Sequence, residues 1–137
     1  MPARVGERLE GFLREVNPII LGTSRSDRSV HLTPVWFEYR DGFVWINGAA
    51  SRDWLAHLRR DGQASLLVVD RQRILRRAEM LGHVVAITPD EHNVEIDRLS
   101  QRYSGRDFGG RGEQRITVQI ELVRVAGADG HEPWDVD

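Results

Sequence analysis

The chain of 137 residues predicts a mainly β domain, six antiparallel strands forming a barrel with two or three short helices packed outside. Three observations carry that expectation. Apolar, β-favouring runs recur along the sequence and are separated by turn residues. The links between them are mostly short, as antiparallel neighbours allow. Apolar residues at helical spacing are confined to three segments, and no internal repeat or second domain is evident.

Taken in order, Val5, Leu9, Phe12, Leu13 and Val16 repeat at helical spacing, and Asn17-Pro18 stops the helix. Ile19 to Thr23 is a short apolar strand, followed by a polar turn from Ser24 to Ser29. His31 to Tyr39 mixes polar and apolar residues around Pro34, which suits an edge or bulged strand. Arg40-Asp41-Gly42 supplies a hairpin turn into the β-favouring run Phe43 to Ile46. Asn47 to Ser51 breaks that strand with small residues, and Trp54, Leu55 and Leu58 begin a short helix. Ala64 to Val69 is a buried strand, Arg71 to Arg77 a basic link, and Ala78 to Ile87 a strand interrupted by Gly82. Thr88-Pro89-Asp90-Glu91 has the form of a capping box with proline at the first helical position, so a helix is expected from there to about Tyr103. A glycine-rich loop, Ser104 to Glu113, leads to a long alternating strand, Arg115 to Val125, and a polar tail that carries Trp134.

Composition excludes several chemistries. The net charge of −2 provides no field to recruit nucleic acid or an anionic membrane. No apolar run approaches the roughly 20 residues that span a bilayer, and the amino terminus lacks the apolar core of a secretory signal, so a cytoplasmic protein is expected. The absence of cysteine removes thiolate metal sites and thiol nucleophiles. All nineteen basic side chains are arginine, which rules out lysine Schiff bases and favours planar, bidentate contacts to phosphate or carboxylate. The five histidines show no metal-ligand spacing, and no metal site is expected.

The segment from His31 to Gly62 carries the clearest signal. Thr33-Pro34-Val35-Trp36-Phe37, Asp41-Gly42, the loop to Ser51 and Leu58-Arg59-Arg60-Asp61 together resemble the flavin-binding split β-barrel superfamily, which includes the pyridoxamine 5'-phosphate oxidase-like proteins and the deazaflavin-dependent reductases. The resemblance implies a split barrel of the FMN-binding type and a homodimer with its cofactor at the subunit interface. It implies FMN or the deazaflavin coenzyme F420 as cofactor, with TPVWF and the short LRRD helix leaning towards the deazaflavin branch. The implied activity is hydride transfer to or from a small conjugated substrate; the alternative is a non-catalytic flavin-binding or carrier protein. No catalytic side chain is assigned, because in such enzymes the cofactor supplies the reactive atom.

On local chemistry alone Thr33, Pro34, Val35 and Trp36 read as an ordinary edge strand with Trp36 in the core; the resemblance instead places them along the flavin ring. Asn47, Gly48, Ser51, Arg52 and Trp54 span a strand end, a small-residue loop and a helix start, where free backbone N–H groups suit a phosphate. Related proteins often carry a basic pair there. At the ungapped positions this chain has Asp53 and Trp54, with Arg52 as the displaced substitute, and Trp54→Lys is expected to restore the basic position. Among other features, the Arg71, Arg73, Arg76 and Arg77 cluster reads as a solvated hairpin end. His57 reads as structural, and Asp107-Phe108-Gly109 and Gly109-Gly110-Arg111-Gly112 as chance motif matches. For Trp134 the resemblance implies a place at the dimer interface or near the cofactor ring, and a loose tail with an incidental Trp is the alternative.

Overall fold

Asp41 and Gly42 both adopt positive φ, 55° and 81°, the combination a type I′ turn needs to follow the right-handed twist of its flanking strands. In the computed structural model, which describes residues 2–135, this turn joins β3 (Phe37–Arg40) to β4 (Phe43–Ala49), with Arg40 paired to Phe43. The other elements are α1 (Glu7–Leu13), β1 (Ile19–Ser24), β2 (Val30–Val35), α2 (Asp53–Asp61), β5 (Gln63–Val69), β6 (Arg76–Pro89), α3 (Val94–Ser104), β7 (Arg115–Asp129) and β8 (Glu132–Pro133).

All strand pairings are antiparallel, and the sheet runs β2-β1-β5-β6-β7-β4-β3 with β8 added to β7. Its two edges, β2 and β3, are consecutive in the chain with only Trp36 between them. The curled sheet therefore brings its edges together end to end at Trp36, without a ladder joining them. The mainly β, split-barrel architecture is as expected, but the hydrogen-bonded sheet is not closed. Among the described residues it also has eight strands rather than six, because His31–Tyr39 divides at Trp36 and the tail contributes β8.

Leu9, Phe12 and Leu13 of α1, Ile19 and Leu21 of β1, Phe37 of β3 and Val118 and Ile120 of β7 have no exposed surface. Each such side chain contributes about 1.5–3 kcal/mol through burial. Helix α1 is shorter than its apolar spacing predicts, ending at Leu13. The expected capping box is not one. Pro89 pairs with Ile116 in the ladder, so β6 consumes Thr88 and Pro89. The chain then turns through left-handed His92 and Asn93, φ 61° and 59°, before α3 starts at Val94. Asn93 holds the cap position without a side-chain bond, and Asp90 takes over that role from upstream, its carboxylate accepting from the Glu95 and Ile96 amides at 2.9 and 2.8 Å.

The tail is anchored within this chain: Trp134 is buried, stacks on Phe12 at 5.3 Å, and donates its indole N–H to the Arg77 carbonyl at 2.7 Å. In the basic link, Arg76 lies over the Phe12 ring and pairs with Glu15, Asp70 and Asp129. Arg77 pairs with Glu79, while Arg71 and Arg73 are exposed. Among the described residues no helix is long and apolar enough to cross a membrane.

Candidate functional site

Strand β2 has one neighbour, β1, so its other edge is left unpaired. Its alternation sends His31, Thr33 and Val35 inward, while Val30 and Leu32 face out. The inward residues form one wall of a cavity of about 500 Å³, within the range of small-molecule and cofactor sites. Pro34 and Trp36 extend that wall. The opposite side comes from Asn47 and Gly48 at the end of β4 and from Arg52, Asp53 and Trp54 at the start of α2. Pro18, Ile96, Phe108 and Arg115 complete it.

Most of the residues expected at a cofactor site thus converge. Ser51 does not line this cavity; its hydroxyl donates to the Glu113 carboxylate at 3.2 Å on the outer side of the loop. Asn47 lines the cavity, but its carboxamide is engaged within the protein. Its Nδ2 donates to Asp90 at 3.0 Å and to Thr117 at 3.1 Å, and its Oδ1 accepts from Arg115 Nε at 3.0 Å. With both N–H groups and the oxygen used, Asn47 orients Arg115 rather than offering its own amide.

Trp54 is also not the open, phosphate-facing position that its spacing implies. It is 4% exposed, with its indole packed against Gly48, where even a Cβ would collide with the ring. Trp54 therefore forms a floor beneath the β4 end. Trp36 lies parallel to Tyr103, with ring centroids 5.3 Å apart, and meets Phe108 edge-on at 6.2 Å. The Tyr103 hydroxyl is fixed by donating to the Asn17 carbonyl at 2.6 Å and accepting from the Phe37 amide at 3.2 Å. Burial raises its pKa above the ordinary phenol value.

Two guanidiniums give the cavity its electrostatic character. Arg115 lies over the Phe108 ring at 4.7 Å, and burial, reinforced by the nearby charge of Arg52, lowers its pKa from the usual arginine value. Among the described residues neither Arg52 nor Arg115 forms an ion pair with a carboxylate. Two like charges held together without a partner favour an anionic guest. Sequence reasoning missed Arg115, His31 and Phe108. Arg115 reaches the site because β7 pairs with β4, placing it opposite Ala49, and no local signal reveals a pairing across that chain separation. Phe108 reaches it because its amide is held by Asp97 at 2.9 Å, which fixes the start of the glycine-rich loop.

The family model for pyridoxamine 5'-phosphate oxidase matches residues 5–127, and the protein belongs to that family. Among solved structures, an F420 reductase superposes with a TM-score of 0.81 at 20% identity, over 88% of this chain and 98% of its own. A conserved hypothetical protein from Mycobacterium tuberculosis gives 0.69 at 22% identity, covering 98% of this chain and 87% of that one. A putative pyridoxamine 5'-phosphate oxidase from Listeria innocua gives 0.65 at 13% identity, over 86% and 93% of the respective chains. At such identities the likeness is one of fold. No curated protein matches the sequence significantly.

Proposed function

We propose that the protein is a flavin- or deazaflavin-dependent oxidoreductase that transfers hydride to or from a small conjugated substrate, with FMN or coenzyme F420 seated in the cavity between β2 and the start of α2. The observation that carries this reading is the pairing of an edge-strand wall with two guanidiniums that lack carboxylate partners. The residues suit such a group. Thr33 to Trp36 offer a flat wall with apolar side chains, the Thr33 hydroxyl, and backbone groups that no further strand pairs. Arg52 and Arg115 supply donors for a phosphate, whereas the Ala50 and Arg52 amides of the expected phosphate loop are already donated to the Gln114 and Ala49 carbonyls.

When bound, the cofactor would supply the redox chemistry itself. The chain's own part is to hold and orient it. Asp90 fixes Asn47, Asn47 aims Arg115, and Arg115 with Arg52 fixes the anionic end. The Trp36–Tyr103 stack keeps the β2 wall in place against α3. Trp54 and Ile96 exclude water from below.

A homodimer is part of this proposal. Its support is the outer sheet face, where Val30 and Leu32 are 58% and 68% exposed beside the partly exposed Leu81 and Val123. Because β2 is both cavity wall and outer face, a second copy seated there would brace the cofactor site. The test of function is direct. Purified protein is mixed separately with FMN and F420, and binding is followed by absorption and fluorescence. The saturated complex is then assayed for hydride transfer with a panel of conjugated carbonyl compounds. Binding with turnover supports the oxidoreductase reading, and binding without turnover supports a carrier.

A further inference from the structure

Phe108 is the one residue of the 105–114 loop that is not exposed. Its ring lines the cavity, edge-on to Trp36 of the β2 wall and beneath the guanidinium of Arg115. Gly110 lies behind it, so close that a Cβ there would meet the ring at 2.8 Å. The loop thus folds back over a single inward side chain. Between 106 and 113 the chain joins no helix or strand, and its backbone bond, from the Arg111 N–H to the Gly109 carbonyl at 3.0 Å, stays within the segment. Among the described residues, its tethers to the rest of the molecule are side-chain bonds. Asp97 of α3 accepts from the Phe108 amide and from the Arg111 guanidinium, both at 2.9 Å. Gln101 donates to Asp107 at 2.9 Å, and the Ser51 hydroxyl donates to Glu113 at 3.2 Å. A segment held by a few exposed bonds and one apolar side chain opens at low free energy. The walls it faces belong to β2, β4, α2 and β7, which are held by ladders and core packing.

We propose that the 106–113 segment is a lid on the cavity, with Phe108 as its plug and Asp97 as its latch, and that a ligand passes only when Phe108 swings off Trp36 and Arg115. This rests on the cofactor reading of the cavity and adds an entry route to it. The closed lid sets an apolar ring against the Arg115 guanidinium and keeps water from it, which strengthens its hold on an anionic group. Opening breaks two bonds at one carboxylate that does not line the cavity. The rate of passage is therefore set apart from the groups that bind, as in other lidded sites.

The test has two arms, both on the full-length protein. In the first, amide exchange is followed by NMR without ligand. The Phe108 amide should exchange by local opening, about tenfold or more faster than Leu99 and Ser100, the buried residues of α3. Arg111→Ala removes one latch bond and leaves that amide its own acceptor, and it should speed the exchange about threefold. In the second arm, stopped-flow fluorescence gives the association and dissociation rates of FMN and of F420. Arg111→Ala and Asp97→Ala should raise both rates together, about threefold and about tenfold, with affinity held within about twofold. Phe108→Ala should also speed association, but with weaker affinity, because Arg115 loses its cover. A Phe108 amide that exchanges only with global unfolding overturns the lid. So do association rates unchanged in all three variants, or a rise in dissociation alone. If neither FMN nor F420 binds any of the four proteins, the cofactor reading fails, and the exchange arm by itself decides whether the loop opens.

Discussion

Arg52 and Arg115 differ in how they are held, and that difference sets their expected behaviour on mutation. Arg52 reaches the cavity from the exposed start of α2, whereas Arg115 is half-buried and tied to Asn47. Arg52→Ala should weaken FMN or F420 binding by about 1.5–3 kcal/mol, tenfold or more, with little change in stability. Asn47→Ala should weaken binding as well, although Asn47 touches no ligand in this account. It also removes a buried donor from the Asp90 carboxylate and from the Thr117 hydroxyl, so its urea midpoint should fall. Titration calorimetry beside urea denaturation separates the two effects. Trp54→Lys, which spacing alone presents as the repair of a missing basic position, is now expected to fail. Removing an indole packed against Gly48 should cost about 3 kcal/mol or more of stability. A Trp54→Lys variant of wild-type stability and tighter phosphate binding would show that the indole is not the floor described here.

At the scale of elements, α3 locks the site from outside. Asp90 caps its first turn while holding Asn47, so Asp90→Ala should cost about 1–2 kcal/mol through the cap alone. It should also speed amide exchange at Glu95 and Ile96. Arg98 of α3 clasps Glu38 of β3 at 2.6 and 3.1 Å. Burial pushes the Glu38 carboxyl up, but the Arg98 bonds and the charges of Arg98, Arg40 and Arg102 outweigh it and hold the group below its ordinary value of 4.5. A carboxylate with a lowered folded pKa contributes stability that is full above its unfolded pKa and is lost as pH falls through its folded value. Glu38→Gln should therefore be less stable than wild type near pH 7, and the gap should close below about pH 4. Urea midpoints at the two pH values check this.

The same elements show what the sequence made legible. The Asp41-Gly42 hairpin, the alternation of β7 and the small-residue break before α2 were readable because each depends on neighbours within a few residues. The α3 start was misread because Thr88 and Pro89 carry a capping signature while their backbone is committed to β7, a pairing no local rule reveals. Arg115 and Phe108 were invisible for the same reason: they join the cavity only after β4 meets β7 and the 105–114 loop folds back.

For the molecule as a whole, the open seam between β2 and β3 gives β2 its double role, cavity wall on one side and exposed apolar strand on the other. If a second copy covers that outer face, light scattering at micromolar concentration should give about twice the chain mass. Leu32→Glu, which puts a charge where 68% of the residue is now exposed, should shift the protein to monomer and lower cofactor affinity together. A monomeric Leu32→Glu with unchanged affinity would separate the cavity from the interface. The central claim, that the cavity between β2 and α2 holds a flavin-type cofactor by Arg52 and Arg115, is tested most directly by one titration. Wild type and the Arg52→Ala/Arg115→Ala double variant are each mixed with FMN and with F420 and passed through gel filtration. The account predicts that wild type retains the absorption bands of at least one cofactor and that the double variant, still folded by circular dichroism, elutes without them. Equal retention by both proteins, or none by wild type, would contradict it.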